Sequence, residues 1–165
     1  MYFQFLIEDA SAEILIGHVM GKLQDKYPEK EILFDTKSFT GIGHLRTTGN
    51  LMERKGGNLL NNLHIYLRGF DRSLSSMENA AIIAVLDNDQ RDVEKFRQDL
   101  EQVAKESLMF TDHVFCIAVK EMEAWLLGDE EAIEKAYPMI KKKYLEFVIH
   151  GRFWQIWYIR VDYPD

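Results

Sequence analysis

Cysteine is almost absent from this chain. Cys116 is the single one in 165 residues, which excludes an intrachain disulfide framework. It lies in the apolar run VFCIAV and reads as a small hydrophobe rather than a nucleophile. Neither Cys116 nor Ser11 has a credible base beside it in sequence, which argues against nucleophilic catalysis. Positive charge is also in deficit: the formal net charge is -7. That argues against broad, charge-driven nucleic-acid binding, which normally shows a basic surface. It leaves open a nucleic-acid enzyme whose bound metal offsets acids at the site. No apolar run reaches transmembrane length. The opening MYFQFLIED lacks a basic n-region and meets acid too early for a secretory signal. These features predict a soluble, cytoplasmic protein with no membrane partner. There is no GxxxxGK[ST] phosphate loop, and His18, His64, His113 and His150 show no paired metal spacing. No internal repeat, low-complexity segment or linker is evident.

The chain has 47% hydrophobic and 28% charged residues, the balance of a globular domain with a real core. Its most informative stretch is AAIIAVLDNDQRD, residues 80–92. The apolar run Ala80 to Leu86 has the length and β-branched content of a strand buried on both faces, as in a parallel sheet covered by helices. It ends abruptly in Asp87-Asn88-Asp89. Ligands of open α/β sheets bind beyond the carboxyl ends of the strands, so these acids are at the functional edge. With alternating side chains, Asp87 and Asp89 point the same way. The bland alternative is a solvated turn capping the next helix.

The remaining elements follow in order. Tyr2 to Ile7 reads as a strand ending at Glu8-Asp9. Ser11 can cap a helix whose stripe is Leu15, Ile16, Val19, Met20 and Leu23, closed by Pro28. Glu31 to Phe39 reads as a second strand. A glycine-rich segment, FTGIGHLRTTGNLMERKGG, carries His44, Arg46, Arg54 and Lys55; it is a connection or a phosphate-contacting loop. Asn58 can cap a helix with Leu59, Leu60, Leu63, Tyr66, Leu67 and Phe70 inward. Asp92 can cap another, with Val93, Phe96, Leu100 and Val103 inward. Val114 to Val119 reads as the last strand, followed by a short helix ended by Gly128 and another from Asp129 through Tyr137. The aromatic-dense end, with Tyr144, Phe147, Phe153, Trp154, Trp157 and Tyr158, is better suited to core packing than to stacking bases. The order βαβ(loop)αβαβαα predicts one α/β domain over 1–165, with a mostly parallel sheet of about four strands flanked by helices.

Three predicted strands end in acid: Glu8, then Asp87 and Asp89, then Glu121 and Glu123. Parallel, adjacent strands would bring these carboxylates to one edge, where they repel unless a cation intervenes. Hard oxygen ligands favour Mg²⁺ or Mn²⁺, which can activate water and stabilise a departing oxygen in phosphoryl transfer. Lys120 is placed to meet phosphate charge, or is merely solvated. Glu13 reads as a solvated first-turn acid favoured by the helix dipole.

Glu8 after the first strand, with Asp87-x-Asp89 after a later one, resembles the Toprim signature of topoisomerases, primases, recombination-repair proteins and overcoming-lysogenization-defect nucleases. The chain is more narrowly similar to an uncharacterised bacterial Toprim-like family through LIEDASAE, FTGIGHL, KGGNLL, VLDNDQRD and VKEMEAWLLGD, in that order. These pieces span about residues 1–137; residues 138–165 form an aromatic-rich extension without a matching motif. The resemblance implies a Toprim-like fold with Mg²⁺ near Glu8, Asp87 and Asp89, and Glu121 or Glu123 as a further acid. It also implies nuclease activity on nucleic acid, in bacterial defence with a partner ATPase. Two departures weigh against a two-metal site: Asp9 stands where the nuclease pattern has glycine, and Ala12 where it has an acid. They favour a non-catalytic interaction module as the alternative. A phosphoryl-accepting receiver fits less well, because Lys120 only loosely fills the place of its lysine.

Overall fold

The computed structural model describes residues 1–8, 10–39, 59–107, 110–118, 130–136 and 138–139. Its described elements are β1 (Tyr2–Ile7), α1 (Ala10–Lys26), β2 (Leu33–Ser38), a 3₁₀ turn (Leu60–Asn62), α2 (Leu63–Leu74), β3 (Ala80–Asp87), α3 (Val93–Glu106), β4 (Asp112–Ala118) and α4 (Glu130–Ala136). The strands form one sheet in the order β2-β1-β3-β4. All pairings are parallel, with Ile7 opposite both Ser38 and Val85, and Asp87 opposite Ala118. This is the α/β architecture read from the sequence.

Side-chain alternation on the central strands divides the core into two layers. Leu6, Ile82, Ala84 and Leu86 pack with Leu63 and Leu67 of α2 and with Phe96 and Leu100 of α3. On the opposite face Phe5, Ile7 and Val85 meet Ala12, Ile16 and Met20 of α1. Helices therefore cover both faces, and the apolar run of β3 is continuous because both its faces pack against helices, with Ala80, Ala81 and Ile83 half-buried and the rest of the run buried. Each fully buried leucine or isoleucine contributes roughly 1.5–3 kcal/mol relative to exposure. Leu63 and Leu67, four apart on α2, and Phe96 and Leu100, four apart on α3, are the stripes that helical periodicity demands.

The helix starts also have local causes. Asp92 caps α3 as expected: its side chain accepts from the Lys95 backbone N–H at 2.8 Å. Ser11 is not the cap of α1, because that helix already begins at Ala10. β2 is shorter than the expected 31–39 and lies at the sheet edge, so Leu33 is 52% exposed while Ile32, just before the strand, is buried. The glycine-rich segment after Phe39, Asn58 and the aromatic tail lie outside the described residues. Among the described residues no helix is long and apolar enough to cross a membrane.

Candidate functional site at the carboxyl edge of the sheet

The strand order places β2 to one side of β1 and β3 to the other. The chain thus reverses its winding between β1 and β3, and the carboxyl ends of the strands at such a switch point are where open α/β sheets bind ligands. Glu8 follows β1 and Asp87 ends β3, so the two acids flank this switch point. Hydrogen bonds join them. The Glu8 backbone N–H donates to the Val85 carbonyl at 3.2 Å. The Glu8 carboxylate Oε2 in turn accepts from the Asp87 backbone N–H at 2.8 Å. Glu8 is half-buried, and Asp87 is buried at 9% exposure.

Beyond Asp87 the backbone leaves the extended state. Asn88 donates its backbone N–H to the Ala118 carbonyl at 2.8 Å, which ties the turn to the end of β4. Asp89 has φ 52°, the left-handed region that asparagine and aspartate enter more readily than other non-glycine residues. This overturns the expectation that Asp87 and Asp89 alternate along one strand and point the same way. Asp89 instead turns its carboxylate to Arg91, whose Nη1 donates at 2.9 Å. The same nitrogen reaches the carbonyls of Asp87 at 3.5 Å and Asn88 at 3.3 Å, and the guanidinium sits 5.0 Å from the centre of the Phe96 ring. The Asn88 amide Nδ2 donates to the Arg91 carbonyl at 2.6 Å. Its Oδ1, on a side chain only 3% exposed, is buried with no hydrogen-bond partner among the described residues.

Glu13 occupies the neighbouring part of the edge. It is not a solvated first-turn acid. Its two oxygens accept from the hydroxyls of Thr36 and Ser38 on β2, at 2.5 and 2.7 Å. These bonds hold its carboxyl below the usual range, against a smaller upward push from burial. Glu13 therefore pins α1 to the end of β2.

Of the acids read from the sequence, Glu8 and Asp87 are brought together, and Asp89 is adjacent but engaged with Arg91. Lys120, Glu121 and Glu123 lie outside the described residues, as does Asp9. Among the described residues, no group of three or more His, Cys, Asp or Glu side chains is arranged to hold a metal. Two carboxylates from neighbouring strand ends are nevertheless a donor set that suits Mg²⁺, a hard ion that keeps several waters and takes one or two protein carboxylates. The buried, unpartnered oxygen of Asn88 is of the same hard type. Two participants went unread in the sequence, Asn88 and Arg91. The available signal was the Asn-Asp pair after a strand, which favours positive φ and a tight return of the next side chains.

No family model matches this chain, and no curated protein or solved structure matches it either.

Proposed function

We propose that this chain is a Mg²⁺- or Mn²⁺-dependent phosphodiester hydrolase acting on nucleic acid. The observation that carries the reading is the hydrogen bond that the Asp87 backbone N–H donates to the Glu8 carboxylate at the β1/β3 switch point. It sets two acids from distant parts of the chain at the one edge where open α/β sheets bind ligands. The resemblance to Toprim nucleases, in the residues Glu8, Asp87 and Asp89, supports the same assignment. A bound divalent ion at such an edge supplies Lewis-acid stabilisation of phosphate charge and lowers the pKa of water. Glu8 and Asp87 would hold it, Asp89 would join them on leaving Arg91, and Glu121, Glu123 and Lys120 are the further candidates for acid and phosphate contact. The net charge of -7 leaves little general attraction for nucleic acid, which accords with a partner ATPase providing the grip.

A second reading, a non-catalytic interaction module, is favoured by the engagement of Asp89 with Arg91 and by the sequence departures at Asp9 and Ala12. Calorimetric titration with Mg²⁺ and Mn²⁺, comparing wild type with Asp87→Asn, followed by plasmid and oligonucleotide cleavage on the same samples, separates the two. Binding and cleavage that both disappear in the variant support the hydrolase. Binding without cleavage, with or without added ATPase, supports the module. A wild type that binds neither ion removes the metal from both readings.

A further inference from the structure

The turn 88–91 carries three features that belong together. A non-glycine residue, Asp89, has a positive φ of 52°. A side-chain oxygen, Asn88 Oδ1, is buried with no partner among the described residues, an arrangement that costs free energy in a resting protein. A guanidinium, that of Arg91, lies on the third carboxylate of the edge, with one nitrogen engaging the Asp89 side chain and the carbonyls of Asp87 and Asn88. A single cation therefore already sits against the oxygens of Asp87, Asn88 and Asp89, held over the face of Phe96. The pair is partly exposed, with 30% of the Arg91 side chain and 52% of the Asp89 side chain accessible, so it is weak enough to exchange.

We propose that Arg91 is the resting counter-ion of this edge, and that a divalent cation takes Asp89 from it, with Asn88 Oδ1 turning to the ion as a further oxygen donor. The inference rests on the metal-dependent reading above. In it, Arg91 is a positioning residue that sets metal affinity by competition. The exchange also frees its planar, multi-donor head at the place where a phosphate would lie.

The test is a Mn²⁺ titration of wild type, Arg91→Gln, Asp89→Asn and the double variant. Arg91→Gln binds about two- to fivefold tighter than wild type, the fold-change that an exposed ion pair of this kind corresponds to. In the Asp89→Asn background the same substitution has no effect. A tightening that persists there reflects only the removal of a nearby positive charge, and overturns the exchange. Unchanged or weaker binding by Arg91→Gln, with wild type still binding, also overturns it while leaving the metal reading intact. Absence of binding in both wild type and Arg91→Gln overturns the metal reading and the exchange together. Should Arg91→Gln fail to fold, the Arg91 Nε–H resonance of the wild type, assigned with Arg91→Lys, gives the second readout. The signal moves on saturation with Mg²⁺ if the exchange occurs and stays in place if it does not.

Discussion

Two buried aspartates lie at opposite ends of the sheet, and they are used differently. Asp71 on α2 is 4% exposed and sits beside the start of β4. One of its oxygens, Oδ1, accepts from the backbone N–H groups of Phe110 at 2.7 Å and Thr111 at 2.8 Å. Burial pushes its carboxyl up, but the hydrogen bonds from Thr111 and Phe110 outweigh that, and its pKa lies below the ordinary value. Asp87, at the carboxyl end of β3, is nearly as buried, yet its surroundings are a second acid, a left-handed residue and an unpartnered amide oxygen. The amino-terminal edge spends its acid on backbone amides and gains stability. The carboxyl edge gathers groups that are costly to hold together.

Substitutions can sharpen or break that contrast. Asp71→Ala removes the acceptor of two part-buried amides and leaves a cavity at a buried position, and is expected to cost about 2 kcal/mol, read by urea unfolding. Placing a β-branched residue in the left-handed position, as in Asp89→Val, is expected to cost about 1–2 kcal/mol in the same measurement. Glu13→Ala, which abandons the hydroxyls of Thr36 and Ser38, is expected to cost about 1 kcal/mol. Asp87→Asn is expected to change stability by under about 0.5 kcal/mol, because relief of repulsion offsets any lost contact, while metal binding is abolished. If Asp87→Asn destabilised as much as Asp71→Ala, the two ends of the sheet would be alike and the contrast would fail.

The same contrast has a pH signature. Asp71 and Glu13 both have folded-state pKa values below their unfolded ones. Their contribution is therefore fully present above the unfolded carboxylate value of about 4, and is lost as pH falls through the folded values. Thermal unfolding from pH 7 to pH 3 should show the gap between wild type and Asp71→Asn narrowing toward acid. A gap that is constant or widens would contradict the lowered pKa of Asp71.

Much of the fold was legible because its signals are local. The run Ala80 to Leu86 shows β3, the spacing of Leu63 and Leu67 shows α2, and Asp92 shows the start of α3. Glu8 and Asp87 were legible as strand-end acids. The rest of the edge depends on partners far away or on one backbone angle. Glu13 looks like any first-turn acid until β2 delivers Thr36 and Ser38 from more than twenty residues along the chain. Asp89 looks extended until its φ turns positive, and only then does Arg91 reach it. Asp71 gives no sign in the sequence, because its donors are backbone N–H groups 39 and 40 residues away.

The bond between the Glu8 carboxylate and the Asp87 amide spans 79 residues. Closing a loop of that size costs chain entropy, and β3 must align beside β1 before the bond can form. A nascent chain that has emerged only through β2 holds Glu8 without its neighbour. The pairing of Glu8 with Asp87 thus comes into being only when the middle of the sheet zips together.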